Sequence, residues 1–146
     1  MSIKEILLNK GWAGRTISRA ETVDQLNPHI QAMSNLLYAY NLMEDNDIDS
    51  FDEASMGEHI RVLRMDIGKM SETIASCGGI SLRSPERSLV GESTEWSNII
   101  ASEKALQKMI LAEQEIEHQM RTRAILSKIA ENTDLRIQQL SRLVQK

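Results

Sequence analysis

The residues in this chain whose types and spacing could do chemistry are three glutamates, a histidine and the positions around them in "LAEQEIEHQM", residues 111 to 120. Glu115 and His118 stand in the Glu-x-x-His spacing that four-helix metal proteins use to hold iron or manganese. At roughly 100° per residue, a continuous helix through this stretch places Ile99, Leu106, Met109, Ile110, Ile116, Met120 and Ala124 on one broad face. Glu113 falls in the middle of that face and Glu117 at its edge. Glu115 and His118 point to the opposite side, so the spacing is read as a decoy and Glu113 as the informative acid. A buried carboxylate must be paired, hydrogen-bonded, neutral or metal-bound. The bland expectation is an ion pair with Arg61, Arg64 or Lys69 across a helix interface.

A metal needs ligands converging from several helices, and here the supply is thin. Between Pro28 and Met43 the first core helix has no acid, and the last has none after Asp134 and no histidine. His59 and Asp66 lie on one flank of the second helix. The metal set that can be drawn is therefore His59, Asp66, Glu113 and Glu117, with iron or manganese as the alternative to no cofactor at all. Cys77 has no CxxC companion and no histidine nearby, so a catalytic thiol is not expected. No phosphate-binding glycine loop and no Ser-His-Asp spacing is present, so an enzyme reading leans on the metal set alone and a non-enzymatic role is favoured over it.

These residues need elements to position them. Five aromatic residues (two Trp, two Tyr, one Phe), two prolines and seven glycines in 146 residues leave a composition of Leu, Ile, Met and Ala that favours helices. The formal net charge of −4 argues against a broadly basic nucleic-acid surface. A single cysteine, no signal-peptide pattern and no apolar run long enough to span a bilayer point to a cytoplasmic setting with no membrane partner.

Along the chain, residues 1–26 read as an N-terminal helical arm and 27–146 as the helical bundle. Asn27 and Pro28 look like the cap and first position of a core helix that ends near "EDNDID". Ser50 and Glu53 form a capping box for the next. Met56, Ile60, Leu63, Ile67, Met70 and Ile74 then follow at alternating spacings of about four and three, as far as Cys77 and the stop at Gly78 and Gly79. This seam is the expected interface for a second copy or another helical protein. "GISLRSPERSLVGES" reads as a long connection between helices 2 and 3. A long third helix from about Thr94 is expected to run to "IAENTD", with Asp134 capping a short last helix that carries Leu135, Leu140, Leu143 and Val144. The fold class is all-α, an antiparallel four-helix-type bundle.

Two resemblances attach to quoted stretches. "LRMDIGKMSETIASCGGI", followed by a long connection and a helical hairpin, resembles the ferritin-like superfamily, in particular the second helix of the bacterioferritin and rubrerythrin kind. It covers about residues 28 to 146. The resemblance puts Met65 where that family has its metal-binding histidine and Val62 where it has a glutamate, with Glu113 or Glu117 as the third-helix glutamate. It therefore implies an oxidase site largely lost. "GWAGRTISR", residues 11 to 19, is similar to the turn and recognition-helix start of helix-turn-helix proteins, which implies that Arg15 and Arg19 touch DNA and that Ile17 packs inward. The reading carried forward is a non-enzymatic interaction or assembly subunit, with a ferritin-like metal bundle and a small DNA-binding protein as alternatives.

Overall fold

The computed structural model describes residues 15–45, 53–82 and 95–144. They form four helices and, among the described residues, no strand: α1 Arg19–Asp45, α2 Glu53–Ser76, α3 Trp96–Glu113 and α4 Met120–Val144. The all-α bundle is thus the observed fold. Helices α1 and α2 pack together, as do α3 and α4, and the two pairs meet through α1 against α3 and α2 against α4.

Glu113 at the end of α3 contacts Gln25 and His29 near the start of α1, while Glu103 contacts Tyr40 towards its end. Helix α3 therefore runs antiparallel to α1. His59 near the start of α2 meets Gln139 late in α4, and Asp66 meets Asn132, so α2 and α4 are antiparallel too. Residues 83–94, outside the described set, connect the lower end of α2 to the upper end of α3. Every packed neighbour is antiparallel, and one long crossover makes this possible.

Helix α1 starts eight residues before the expected Asn27–Pro28 cap. Ser18 and Glu21 form a reciprocal capping box: the Ser18 Oγ accepts from the Glu21 amide at 3.2 Å, and the Glu21 Oε1 accepts from the Ser18 amide at 2.9 Å. The proposed arm boundary at residue 26 therefore falls inside α1, and Pro28 lies within the helix. Asn27 has a different task. Its side chain donates to the Ile80 carbonyl at 3.1 Å and accepts from the Leu82 amide at 3.0 Å, pinning the chain that leaves α2.

Helix α2 ends as its two glycines predict. Gly78 sits at φ +83°, its amide donates to the Ala75 carbonyl and the Gly79 amide to the Ile74 carbonyl, each at 3.0 Å. This is the Schellman arrangement, which satisfies carbonyls the helix would leave orphaned. Gly79 is also held by space, because a Cβ there would come within 2.4 Å of the Val23 side chain. Of the capping box expected at the other end, Ser50 lies outside the described residues.

The largest departure concerns the second half. The long third helix breaks at residues 114–119, and the last helix is not short: α4 runs unbroken through Asn132, Thr133 and Asp134. Nothing in "QEIEHQ" disfavours helix, so tertiary contacts decide. Ile116 packs on Ile17, the Ile17 amide donates to the Glu117 carbonyl at 3.0 Å, and His118 turns in towards Glu113. Asp134 is not a cap but an exposed residue of α4 that accepts from Gln107 and Gln138.

The apolar seam of α2 forms as expected but faces inward. Met56, Ile60, Leu63, Ile67, Met70 and Ile74 all lie in the chain's own core with Leu26, Met33, Tyr40, Leu106 and Leu126. The seam as a surface for a partner is therefore corrected, since these side chains are spent on the bundle itself.

Candidate functional site

The core of the bundle carries two buried polar clusters. The first draws on all four helices. Tyr40 on α1 and Arg136 on α4 converge on Glu103 of α3, whose Oε2 accepts from the Tyr40 hydroxyl at 2.8 Å and from the Arg136 Nε at 2.6 Å. The Tyr40 oxygen also lies 3.2 Å from His59 Nδ1 on α2, and His59 Nε2 lies 2.6 Å from Gln139 Oε1. Arg136 Nη1 stands 3.9 Å from Asp66 Oδ2, and Asn132 donates to both Asp66 oxygens at 3.1 and 3.3 Å. Arg136 further donates from Nη2 to Thr133 Oγ1, whose own hydroxyl donates to the Ile129 carbonyl. Glu103 is 0% exposed and Asp66 1%.

Electrostatics follow from this geometry. Burial pushes Asp66 up to about 6, with the Arg136 charge and the Asn132 amide tempering the rise. Burial lowers His59, against the hydrogen bond it donates to Gln139 Oε1 and the charge of Glu103, and favours its neutral form. Burial and the adjacent Glu103 charge raise Tyr40 well above the phenol range, so it stays a hydrogen donor. For Arg136 burial works against the charge, but the attraction and hydrogen bond of Glu103 outweigh it and hold the guanidinium protonated.

The second cluster sits at the lower end. Both oxygens of Glu113 accept from the Gln25 amide at 3.2 and 3.1 Å; Oε1 lies 2.8 Å from His29 Nε2 and Oε2 lies 2.6 Å from His118 Nε2. Burial alone would raise this carboxyl, but the hydrogen bonds of His118 and His29 and the charge of His29 prevail and hold it down at about 2. Glu113 is thus an anion wrapped in donors, tying α1, the end of α3 and the 114–119 turn together.

The expected metal set does not assemble. His59 and Asp66 belong to the first cluster and Glu113 to the second, while Glu117 is exposed and ion-paired with Arg123 at 3.3 Å. Among the described residues no group of three or more His, Cys, Asp or Glu side chains is placed to hold a metal ion. Glu113 pairs with histidines rather than with Arg61, Arg64 or Lys69; Arg61 instead pairs with Glu58. The orientation expected for His118 is also corrected: the helix ends at Glu113, and the turn brings His118 back onto that residue while Glu115 stays exposed.

Two of the residues that organise the interior, Glu103 and Arg136, were readable from spacing. Glu103 continues the Ile99, Leu106 and Ile110 face, and Arg136 stands between Ile129 and Leu140 on the buried face of α4. For the N-terminal arginines, Arg15 makes a two-pronged pair with Glu21, both contacts at 3.0 Å, and Arg19 donates to the Ser76 carbonyl. Residues 11–14 of the helix-turn-helix-like stretch lie outside the described residues. Ile17 packs inward. No helix among the described residues is long and apolar enough to cross a membrane. No known protein family, curated protein or solved structure matches this chain.

Proposed function

We propose that the chain is a non-enzymatic interaction subunit, a bundle whose interior polar groups fix its own packing and whose lower end meets another protein surface. One observation carries this reading. Ile80, Leu82, Leu111 and Met120 are 85%, 54%, 52% and 86% exposed, and all four stand at the end where α2 and α3 close and α4 begins. Large apolar side chains concentrated in one region mark a contact surface.

The interior supports the same reading. Two buried carboxylates from different helices, Asp66 and Glu103, face the Arg136 guanidinium. A charge that an iron or manganese ion would supply in a metal bundle is supplied here by the chain itself. Arg136 reaches both acids, Glu103 at 2.6 Å and Asp66 at 3.9 Å.

Native mass spectrometry of freshly purified protein, without added metal or chelator, tests this directly. The expected spectrum shows a metal-free species heavier than one chain, which Met120→Asp returns to the monomer with helicity intact. A monomer carrying stoichiometric iron or manganese overturns the reading.

A further inference from the structure

Helices α2 and α3 end by different means. Gly78 at φ +83° stops α2 in a backbone conformation through which no helix continues, so that end is written into the local chain. The break after α3 has no such residue. Residues 114–119 include neither glycine nor proline, and each of them is acceptable inside a helix. Contacts from elsewhere bend the chain: Ile17 packs on Ile116 and its amide donates to the Glu117 carbonyl at 3.0 Å, while His118 Nε2 lies 2.6 Å from Glu113 Oε2. Gln114 donates to Ser127 at 3.4 Å, and the exposed Glu117–Arg123 pair at 3.3 Å adds little.

We infer that two copies of the chain form a dimer by exchanging α4. In that dimer residues 114–119 join the helix, residues 96–144 become one helix about 70 Å long, and the α4 of each copy packs in the bundle of the other. No new complementarity is required, because the surfaces that meet are those already packed within one chain. Arg136 of the partner subunit then reaches Glu103 and Asp66, and Gln139 of the partner subunit reaches His59. An opened chain cannot stand alone, since without an α4 its upper cluster would leave Glu103 and Asp66 with no cation. Only a second copy completes it.

Exchange gives up the Ile17–Ile116 packing and the Glu113–His118 contact, while Glu113 keeps Gln25 and His29. Against this, extending an existing helix adds about one backbone hydrogen bond per residue. The lower end supplies a second gain. On a continuous helix Met109, Glu113, Ile116 and Met120 fall within about 60° of one another, on the face where the two long helices pass at the two-fold axis. Met120, 86% exposed in the closed chain, is then covered. The two bundles stand end to end through the region where Ile80, Leu82 and Leu111 are exposed as well.

This inference rests on the interaction reading, for which it names the partner, and one crosslinking experiment separates their fates. Gln107 on α3 donates to Asp134 on α4 at 3.2 Å. Gln107→Cys and Asp134→Cys, in a Cys77→Ser background, therefore place two thiols face to face across the α3–α4 contact. A short thiol crosslinker joins them within one chain in the closed form and between two chains in the exchanged form, and a denaturing gel tells these apart. The dimer fraction from size exclusion is expected to yield a covalent dimer. Glu117→Pro should lower that yield about tenfold or more, because proline breaks the long helix at a residue that is not helical in the closed chain. Glu115→Gly with Glu117→Gly, which weakens the long helix without constraining the turn, should lower it too, and His118→Ala should raise it. Covalent dimer that ignores both hinge changes overturns the exchange. A dimer that crosslinks only within each chain also overturns it, and leaves contact through the apolar end standing. A chain that is monomeric at every concentration overturns the exchange and any other self-association with it.

Discussion

The two interior clusters bury carboxylates to almost the same depth and treat them in opposite ways. Asp66, with Asn132 as its donor and a guanidinium at 3.9 Å, is pushed up to about 6. Glu113, gripped by two imidazoles and an amide, is held down at about 2. Depth is nearly the same, 1% and 5% exposed, so it cannot explain the difference. The number and closeness of donors does. Three donating side chains hold Glu113 low, whereas the single amide on Asp66 leaves burial to raise it.

The largest effect is expected on removing the cation of the upper cluster. Arg136→Leu leaves Glu103 buried without its charge partner and should cost about 3–5 kcal/mol in urea unfolding. Adding Glu103→Leu should recover most of the loss, because an apolar pair of similar volume replaces the ions. A double variant as unstable as the single would show that packing, not charge, was lost.

Next comes acid unfolding through the lower cluster. The folded carboxyl of Glu113 lies near 2 against an ordinary 4.5, so its stabilisation is complete above pH 4.5 and disappears as pH falls towards 2. The linked amount is about 3 kcal/mol by order of magnitude. Glu113→Gln should be less stable than wild type at neutral pH and should lose less stability across that interval. Equal slopes for the two proteins would sink the comparison.

Asp66 should show the opposite sign. Its folded value of about 6 lies above the ordinary 3.8, so the folded state holds a proton the unfolded state has released, and stability falls as pH rises from about 4 to 6. Asp66→Asn should flatten that fall, with a difference of about 3 kcal/mol at most, read from urea midpoints taken at several pH values. The smallest change sharpens the upper cluster alone. Tyr40→Phe removes one donor from Glu103 and should cost about 1–2 kcal/mol without altering the pH profile below neutrality.

How much of this was legible depended on which physical signal each element carried. Helix α2 has an apolar seam at unbroken helical spacing and a glycine stop, and both appear as read. Helix α1 carried two competing start signals, and the Asn27–Pro28 pair obscured the real capping box at Ser18 and Glu21. The break at 114–119 was not legible, because every residue there is acceptable in a helix and only contacts with Ile17 and Glu113 end it. The candidate site was half visible. Spacing placed Glu113 inside and His59 and Asp66 on one flank of the seam, but the split into two clusters depends on which helices are neighbours, and no local pattern encodes that. Glu103 and Arg136 lay on the buried faces all along; their charge, set against the apolar run, was the missed signal.

The Asn27 side chain pairs with both the donor and the acceptor edge of the segment leaving α2, as one rung of a β-ladder would. It grips main chain and leaves the side chains of Ile80 and Leu82 facing out. That junction can therefore exchange its residues without disturbing its own anchoring, while a single inserted or deleted residue between Gly79 and Leu82 would shift the grip and turn the apolar side chains the wrong way. The outward surface can drift in chemistry; the length of the chain beneath it cannot.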